Sequence, residues 1–258
     1  MNKVAIVGSN GFIGKFLVKN LQQNNQIISI SRQFDELQNS QNIIPLTFDI
    51  SSKWDFEEEI NIVIFCATQH FLSRKTPNPY NFINSNITGL LNALEFSKNN
   101  QANLFIYLST MSIYGKIQIN TIDENTEINN PDIYGTSKYM GEKLVQMYSD
   151  HFDTLILRLP GVIGSIWDKG MPWINTAILK LKNNQDLTYY NGSSLFNNIV
   201  DLENILKFIM FYINFKDKQT NQILNLSATE PLKIFELINY ISKILNSKSK
   251  IVEKKTED

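Results

Sequence analysis

Val4-Ala5-Ile6-Val7-Gly8-Ser9-Asn10-Gly11-Phe12-Ile13-Gly14 decides the fold. The opening apolar run, mostly β-branched, reads as a short buried strand, and Phe16, Leu17 and Leu21 recur at helical spacing directly after the glycines. Strand, glycine turn and helix in that order make a phosphate cradle. Gly8 permits the tight turn, Gly11 lets the backbone approach a pyrophosphate, and Gly14 lets the helix pack on the strand. The start of the helix, where Phe12 and Ile13 lie, favours anionic charge. A plain strand-to-helix turn would use glycine only for its backbone freedom. The placement between a strand and a helix favours the binding reading.

Working outward, residues 26–31 form a second strand. About 20 residues past the glycines, dinucleotide folds often place an acid on the adenosine ribose; here Ser31-Arg32 stands. A guanidinium cannot accept from ribose hydroxyls but can grip a 2′-phosphate, so NADP(H) is expected in preference to NAD(H). Asp35 or Glu36 is the alternative acid. Strands over residues 43–50 and 62–68 end in Asp49-Ile50 and Cys66-Ala67-Thr68, where a cofactor would lie. Asp49 reads equally well as the cap of a helix over residues 51–59. His70 stands in a polar loop and is structural or substrate-facing, and His151 offers a favourable charge at a helix end.

Residues 82–97 are apolar at helical spacing, through Ile83, Ile87, Leu90, Leu91 and Leu94. Residues 105–110 read as a buried strand that delivers Ser109 and Thr110 to its carboxyl end. Residues 115–131 are polar and form a loop over the site. Then Ile133-Tyr134-Gly135-Thr136-Ser137-Lys138 sets a phenol and an ammonium four residues apart on one helix face. A tyrosine ordinarily titrates near pH 10, so a base at neutral pH needs a cation beside it, and Lys138 is that cation. Thr110 or Ser109 would steady a substrate oxygen. Tyr-x-x-x-Lys alone recurs in ordinary amphipathic helices; its weight here comes from the glycine cradle.

Residues 154–159 add a sixth strand, ending in Pro160-Gly161. The βα alternation predicts an α/β fold with a doubly wound, Rossmann-like parallel sheet over residues 1–163. From 164 the rhythm changes: a loop at 167–170, a helix at 173–181, a strand at 187–190, and Asp201 capping a helix that runs to 212. Short strands at 223–226 and 250–253 flank a helix at 232–245. Residues 164–258 therefore read as a small mixed substrate-binding lobe, interleaved with the first domain, whose last residues fray.

The composition limits the partners. Of 258 residues 43% are hydrophobic, enough for a sizeable core, and 24 Lys plus Arg balance 25 Asp plus Glu, so nothing draws the chain to nucleic acid or to anionic membranes. A small-molecule substrate is expected and no metal. The single cysteine, Cys66, excludes an internal disulfide. No apolar run approaches the roughly 18 to 20 residues of a membrane span, and Met1-Asn2-Lys3 leads straight into a strand, so a cytoplasmic protein is expected.

With the glycine turn, Thr110, Tyr134 and Lys138 in this order, the chain resembles the extended short-chain dehydrogenase/reductases, the NAD(P)-dependent epimerase/dehydratase group that acts mostly on nucleotide-linked sugars. Thr110-Met111-Ser112-Ile113-Tyr114-Gly115 resembles the family's Ser or Thr stretch with its Tyr-Gly end. Phe65-Cys66-Ala67 is similar to its fourth-strand segment, residues 86–89 to its helix motif, and Arg158-Leu159-Pro160-Gly161-Val162-Ile163-Gly164 to its sixth-strand turn. The resemblance implies that Tyr134 is the acid/base, that Lys138 lowers its pKa and contacts the nicotinamide ribose, and that Thr110 hydrogen-bonds the reacting oxygen. Leu108 and Pro160 are placed on the cofactor, and Met111, Ser112 and His70 on the substrate. The helices over 82–97 and 134–149 resemble the pair through which the family dimerises.

Three departures qualify this. Met111-Ser112 stand where the family's sugar 4,6-dehydratases carry Asp-Glu, which disfavours dehydration. Residues 193–198 follow Gly192 without the Arg that many members hold on the diphosphate. The carboxyl-terminal lobe is also short. The chain thus reads as an NADP(H)-dependent oxidoreductase or epimerase, most simply of a nucleotide-activated sugar for surface polysaccharide synthesis. Its alternatives are a reductase of a non-sugar carbonyl compound and an NADP(H)-sensing protein without turnover.

Overall fold

The apolar runs pair side by side into one seven-stranded parallel sheet in the computed structural model, which describes residues 1–33, 40–70, 78–164, 172–214 and 220–254. Its members are β1 (Asn2–Val7), β2 (Asn25–Ser31), β3 (Ile43–Thr47), β4 (Ile62–Phe65), β5 (Leu104–Thr110), β6 (Asp153–Leu159) and, far along the chain, Gln222–Asn225. They lie in the order β3, β2, β1, β4, β5, β6, then Gln222–Asn225. The direction of strand addition reverses between β1 and β4, so the crevice for a ligand opens at the carboxyl ends of those two strands. The expected doubly wound α/β sheet is therefore present.

Parallel strands covered on both faces need near-continuous apolar sequence, and all seven residues of β5 are buried. Phe65, Phe105 and Tyr107 stack across β4 and β5 with ring centroids 6.0 to 6.4 Å apart. Leu90, Ala93 and Leu94 of α3 (Gly89–Asn99) and Val145 of α4 (Ile133–Met147) complete this core, while α1 (Phe12–Leu21) follows the glycine turn. Two compact units are present: Met1–Leu159 with Leu206–Leu226, and Pro160–Ile205 with Ser227–Asp258.

Among its described residues the second unit holds three strand pairs and two helices. β7 (Gly161–Ile163) pairs with β10 (Ile199–Asp201), β8 (Leu187–Tyr189) with β13 (Ile251–Glu253), and β9 (Leu195–Phe196) with β12 (Leu232–Lys233). Ala177 and Leu181 of α5 (Trp173–Lys182) meet Leu187 and Ile238 of α7 (Ile234–Ile244) in its own small core. Asp201 begins α6 (Leu202–Asn214), and its Oδ1 accepts from the Asn204 amide at 2.7 Å, as a capping residue should.

Three expectations need correction. The strand at 223–226, assigned to the lobe, is β11 (Gln222–Asn225) and pairs in parallel with β6 of the main sheet. The helix α6 precedes it, so the chain makes a strand-helix-strand return that the local sequence does not advertise. No helix forms over 51–59. Trp54 stacks on Phe48 and meets Phe96 edge-on, and the amides of Glu58 and Ile60 donate to Asn100, which holds the segment irregular. The helix over 82–97 is three pieces: α2 (Pro79–Phe82), a π turn (Ile83–Thr88) and α3. The residues at 34–39, 71–77, 165–171, 215–219 and 255–258, including Asp35, Glu36, the loop at 167–170 and the chain end, lie outside the described residues.

Candidate active site

The glycine cradle has the geometry its sequence calls for. Gly8 adopts φ +82°, and a Cβ there would fall 2.6 Å from the Ala67 nitrogen; only glycine fits. At Gly14 a Cβ would lie 2.2 Å from the Gly8 carbonyl oxygen, so α1 rests directly on the turn. Gly11 differs: a Cβ would meet just the Gly8 oxygen, at 3.2 Å, and otherwise points into open space. Gly11 begins α1 with no side-chain cap and no acid in the first turn, so the first amides, including those of Phe12 and Ile13, are left for an anion. Asn10 Oδ1 in the same turn is buried without a hydrogen-bond partner, an acceptor that a ligand donor would satisfy. This cradle fits a dinucleotide. Gly11→Ala is therefore expected to melt within a few degrees of the parent yet bind the dinucleotide about tenfold or more weakly, measured by thermal melting and by calorimetric titration. An unchanged affinity would remove Gly11 from the site.

The adenosine end is more mixed than the sequence suggests. Ser31 is buried at the end of β2, and Arg32 beside it is exposed. The Asp49 carboxyl is held below its usual value by the Ser51 hydroxyl and amide, at 2.7 and 3.0 Å, with the Arg32 charge adding to them. Asp49 thus caps a turn rather than a helix, and acid and guanidinium share this corner. Ile50 is tied to α3, since its carbonyl accepts from Asn92 Nδ2 at 2.9 Å and its side chain abuts Gly89. Burial pushes the Cys66 thiol up to about 12, against the pull of Lys138, so it stays a protonated wall residue.

Tyr134 occupies the first turn of α4, started by Asp132, whose Oδ1 accepts from the Gly135 amide at 2.7 Å. A Cβ on Gly135 would lie 2.4 Å from the Ser112 carbonyl oxygen, so this turn packs directly on the 3-10 turn Met111–Tyr114. That close approach joins Tyr134 to Thr110. Burial raises the Tyr134 pKa, and hydrogen bonds with the Thr110 and Thr68 hydroxyls pull it back. Thr110 Oγ1 also accepts from the Ser112 amide at 3.1 Å and donates to Ser112 Oγ at 3.2 Å. Thr68 Oγ1 lies 3.3 Å from Asn86 Oδ1. The ring of His70 stands edge-on against the Tyr134 ring, with centroids 4.5 Å apart. Leu108 is buried in β5 and Met111 begins the 3-10 turn, while Pro160 opens the second unit.

Lys138 is buried. Its side chain is 2% exposed, and its Nζ sits 4.1 Å from the centroid of the Tyr107 ring. Burial pushes its pKa down to about 7, with Glu142 and Cys66 opposing that. The Tyr134 pKa is pulled back by the two threonine hydroxyls, and Lys138 stands one helical turn further along α4. Ser109 is corrected as a stand-in for Thr110. Its hydroxyl donates to Glu142 Oε1 at 2.5 Å, which commits it elsewhere.

The sequence reading missed the role of Asn86, which is 1% exposed on the π turn. Its Oδ1 accepts from the Gln69 amide at 2.7 Å, and its Nδ2 donates to Ser137 Oγ at 2.9 Å. It thereby ties the end of β4 to α4 beside Tyr134. A signal existed, for Asn86 lies three residues from Ile83 and four before Leu90, on the apolar stripe. It also missed Thr68 as a partner of the phenol, and the buried Glu142 and Arg158. Among the described residues no group of three His, Cys, Asp or Glu could hold a metal, and no helix is long and apolar enough to cross a membrane.

The sequence model of the NAD dependent epimerase/dehydratase family matches residues 4–227. A Methanocaldococcus jannaschii protein provisionally named UDP-glucose 4-epimerase is 28% identical over 92% of this chain and 81% of its own. Among solved structures, a UDP-N-acetylglucosamine 4-epimerase from Methanobrevibacter ruminantium superposes with a TM-score of 0.82 at 21% identity, covering 100% of this chain and 87% of that one. A UDP-glucuronic acid 4-epimerase from Bacillus cereus in complex with NAD gives 0.80 at 20%, covering 98% and 88%.

Proposed function

Because this chain is an enzyme that belongs to the NAD dependent epimerase/dehydratase family, we propose that it is an NAD-dependent 4-epimerase of a sugar carried on uridine diphosphate. The observation that carries the reading is the Tyr134 hydroxyl, hydrogen-bonded with Thr110 and Thr68, with Met111 and Ser112 where elimination chemistry would need carboxylates. Oxidation and re-reduction at one carbon needs one proton carrier; dehydration needs further acid and base groups. The names of the relatives supply the uridine diphosphate and the 4-position.

Gly8, Gly11, Gly14 and the start of α1 would hold the dinucleotide. Bound there, its nicotinamide supplies reversible uptake and return of hydride. Thr110 orients the sugar hydroxyl. Tyr134, as the phenolate that the Lys138 ammonium would favour, takes the hydroxyl proton as the carbonyl forms and gives it back when the opposite face is reduced. Lys138 supplies a cation, present as ammonium below pH about 7 and lost progressively above it. Over a full cycle hydride and proton both return to the sugar, so nothing is consumed.

NAD takes the place of the NADP(H) expected from Ser31-Arg32. The family's dependence and the NAD in the Bacillus cereus structure support this. So does Asp49, whose carboxylate beside Arg32 would meet a 2′-phosphate with like charge. Two copies would pair through residues 82–97 and 134–149, a reading supported by the exposed Ile83, Leu91, Met140 and Met147.

The test is incubation of the NAD-saturated protein with UDP-glucose, UDP-N-acetylglucosamine and UDP-glucuronic acid, following sugars by chromatography and NADH by absorbance. One of them should convert to its 4-epimer at constant NADH. Stoichiometric NADH production or NADPH consumption would point to a net oxidoreductase instead. In parallel titrations NAD should bind about tenfold or more tightly than NADP; the reverse order would restore the phosphate-gripping role of Arg32.

A further inference from the structure

Glu142 lies one turn beyond Lys138 and two beyond Tyr134 on α4, so the three share a helix face. Its residue is 1% exposed. Oε1 accepts from Ser109 Oγ at 2.5 Å and from Arg158 Nε at 3.1 Å, and Oε2 accepts from Arg158 Nη2 at 2.8 Å. Arg158 reaches in from β6, itself 4% exposed. Its Nη1 donates to the Tyr114 hydroxyl at 2.8 Å and to the Glu124 carbonyl at 3.0 Å. The Tyr114 oxygen lies 2.8 Å from the Asp123 carbonyl and 2.9 Å from Asn225 Oδ1, and the Asn225 amide donates to Glu124 Oε1 at 2.6 Å. One buried carboxylate and one guanidinium therefore join the helix of Tyr134, the strand of Thr110, the polar loop after it and the edge strand β11.

A buried ion pair is a poor source of stability, because both charges are desolvated to make it. Its placement suggests another use. We propose that Glu142 is a positioning residue of the proton-transfer site: anchored by Arg158, it holds α4 in register with β5 and sets its carboxyl group one helical turn from Lys138. The proposal rests on the reading of Lys138 as the cation of that site. The titratable groups facing Lys138 are Glu142 on its own helix, Cys66 at the end of β4 and Tyr107 on β5. Of these, Glu142 is the one held in an ion pair, with Arg158, while burial raises the pKa values of Cys66 and Tyr107. Glu142 opposes the burial that would otherwise strip the proton from Lys138.

The test is the Lys138 titration, followed by NMR of isotope-labelled lysine in the full chain with NAD bound and without it, the signal assigned by its loss in Lys138→Met. Glu142→Gln removes the charge and keeps a hydrogen-bonding side chain. Glu142→Leu combined with Arg158→Leu removes both charges together and keeps the packing, so a folded protein is available even if the single variant is too unstable. In Glu142→Gln the midpoint should fall by about one pH unit, in the double variant, which also loses the opposing Arg158 charge, by less, and the alkaline limb of turnover should move down with it. Ser109→Ala, which leaves both charges, should leave the midpoint in place. An unchanged midpoint, or turnover lowered equally at every pH, would reduce Glu142 to a structural residue. A shifted midpoint without turnover on any nucleotide sugar would sustain this inference and sink the epimerase reading.

Discussion

Tyr134→Phe is expected to lower turnover about a thousandfold, the usual worth of a positioned acid/base, while NAD affinity and melting temperature stay near those of the parent. The substitution removes one oxygen and leaves the ring. The phenyl group keeps its edge-on contact with His70 and its place in the first turn of α4, so packing is preserved. What disappears is the hydroxyl shared with Thr110 and Thr68. Loss of turnover with intact binding separates a chemical role from a structural one. Steady-state rates on the epimerised sugar, with calorimetric titration of NAD, are the measurements. Turnover within tenfold of the parent would mean that another group moves the proton.

Lys138→Met should abolish most turnover and at the same time raise the melting temperature. A buried ammonium costs stability, and methionine fills the same volume over Tyr107 without charge. The pH dependence gives the sharper test. In the folded chain Lys138 sits at about 7, against 10.5 for the ordinary side chain. Between those values the unfolded chain binds more protons than the folded one, so stability rises with pH across the window. The full penalty is present below pH about 7 and has gone above the unfolded value. The variant's advantage should therefore be largest at pH 6, where a gain of roughly 5 °C is expected, and should shrink steadily toward pH 10. Scanning calorimetry of both proteins over that range decides it. A destabilised variant at every pH would show that the ammonium over the Tyr107 ring is a net stabilising contact.

These effects trace back to parts of the chain that differ in how openly they declare themselves. The glycine turn and the apolar runs that became β1 to β6 are local: each strand is recognisable from its own residues, and the parallel order follows from alternation with helices. The helix spacing of Tyr134 and Lys138 is equally local. By contrast, the contact of Thr68 with the phenol joins residues far apart in sequence, one just beyond β4 and one in the first turn of α4, and nothing within either segment signals it. Asn86 is partly legible, as a polar residue on an apolar stripe, but its partners follow from a π turn that widens an otherwise ordinary apolar helix.

By itself the sequence determined the Rossmann-like sheet, the strand, glycine turn and helix at its start, and the placing of Tyr134 and Lys138 on one face of α4, because spacing along one element sets which side chains share a face. Tertiary structure alone decided the protonation of Lys138, the retirement of Ser109 into a bond with Glu142, and the return of Gln222–Asn225 to the main sheet. Those outcomes depend on burial and on partners brought together from distant segments, and the free energy of a charge is set by what surrounds it, not by its neighbours in the chain.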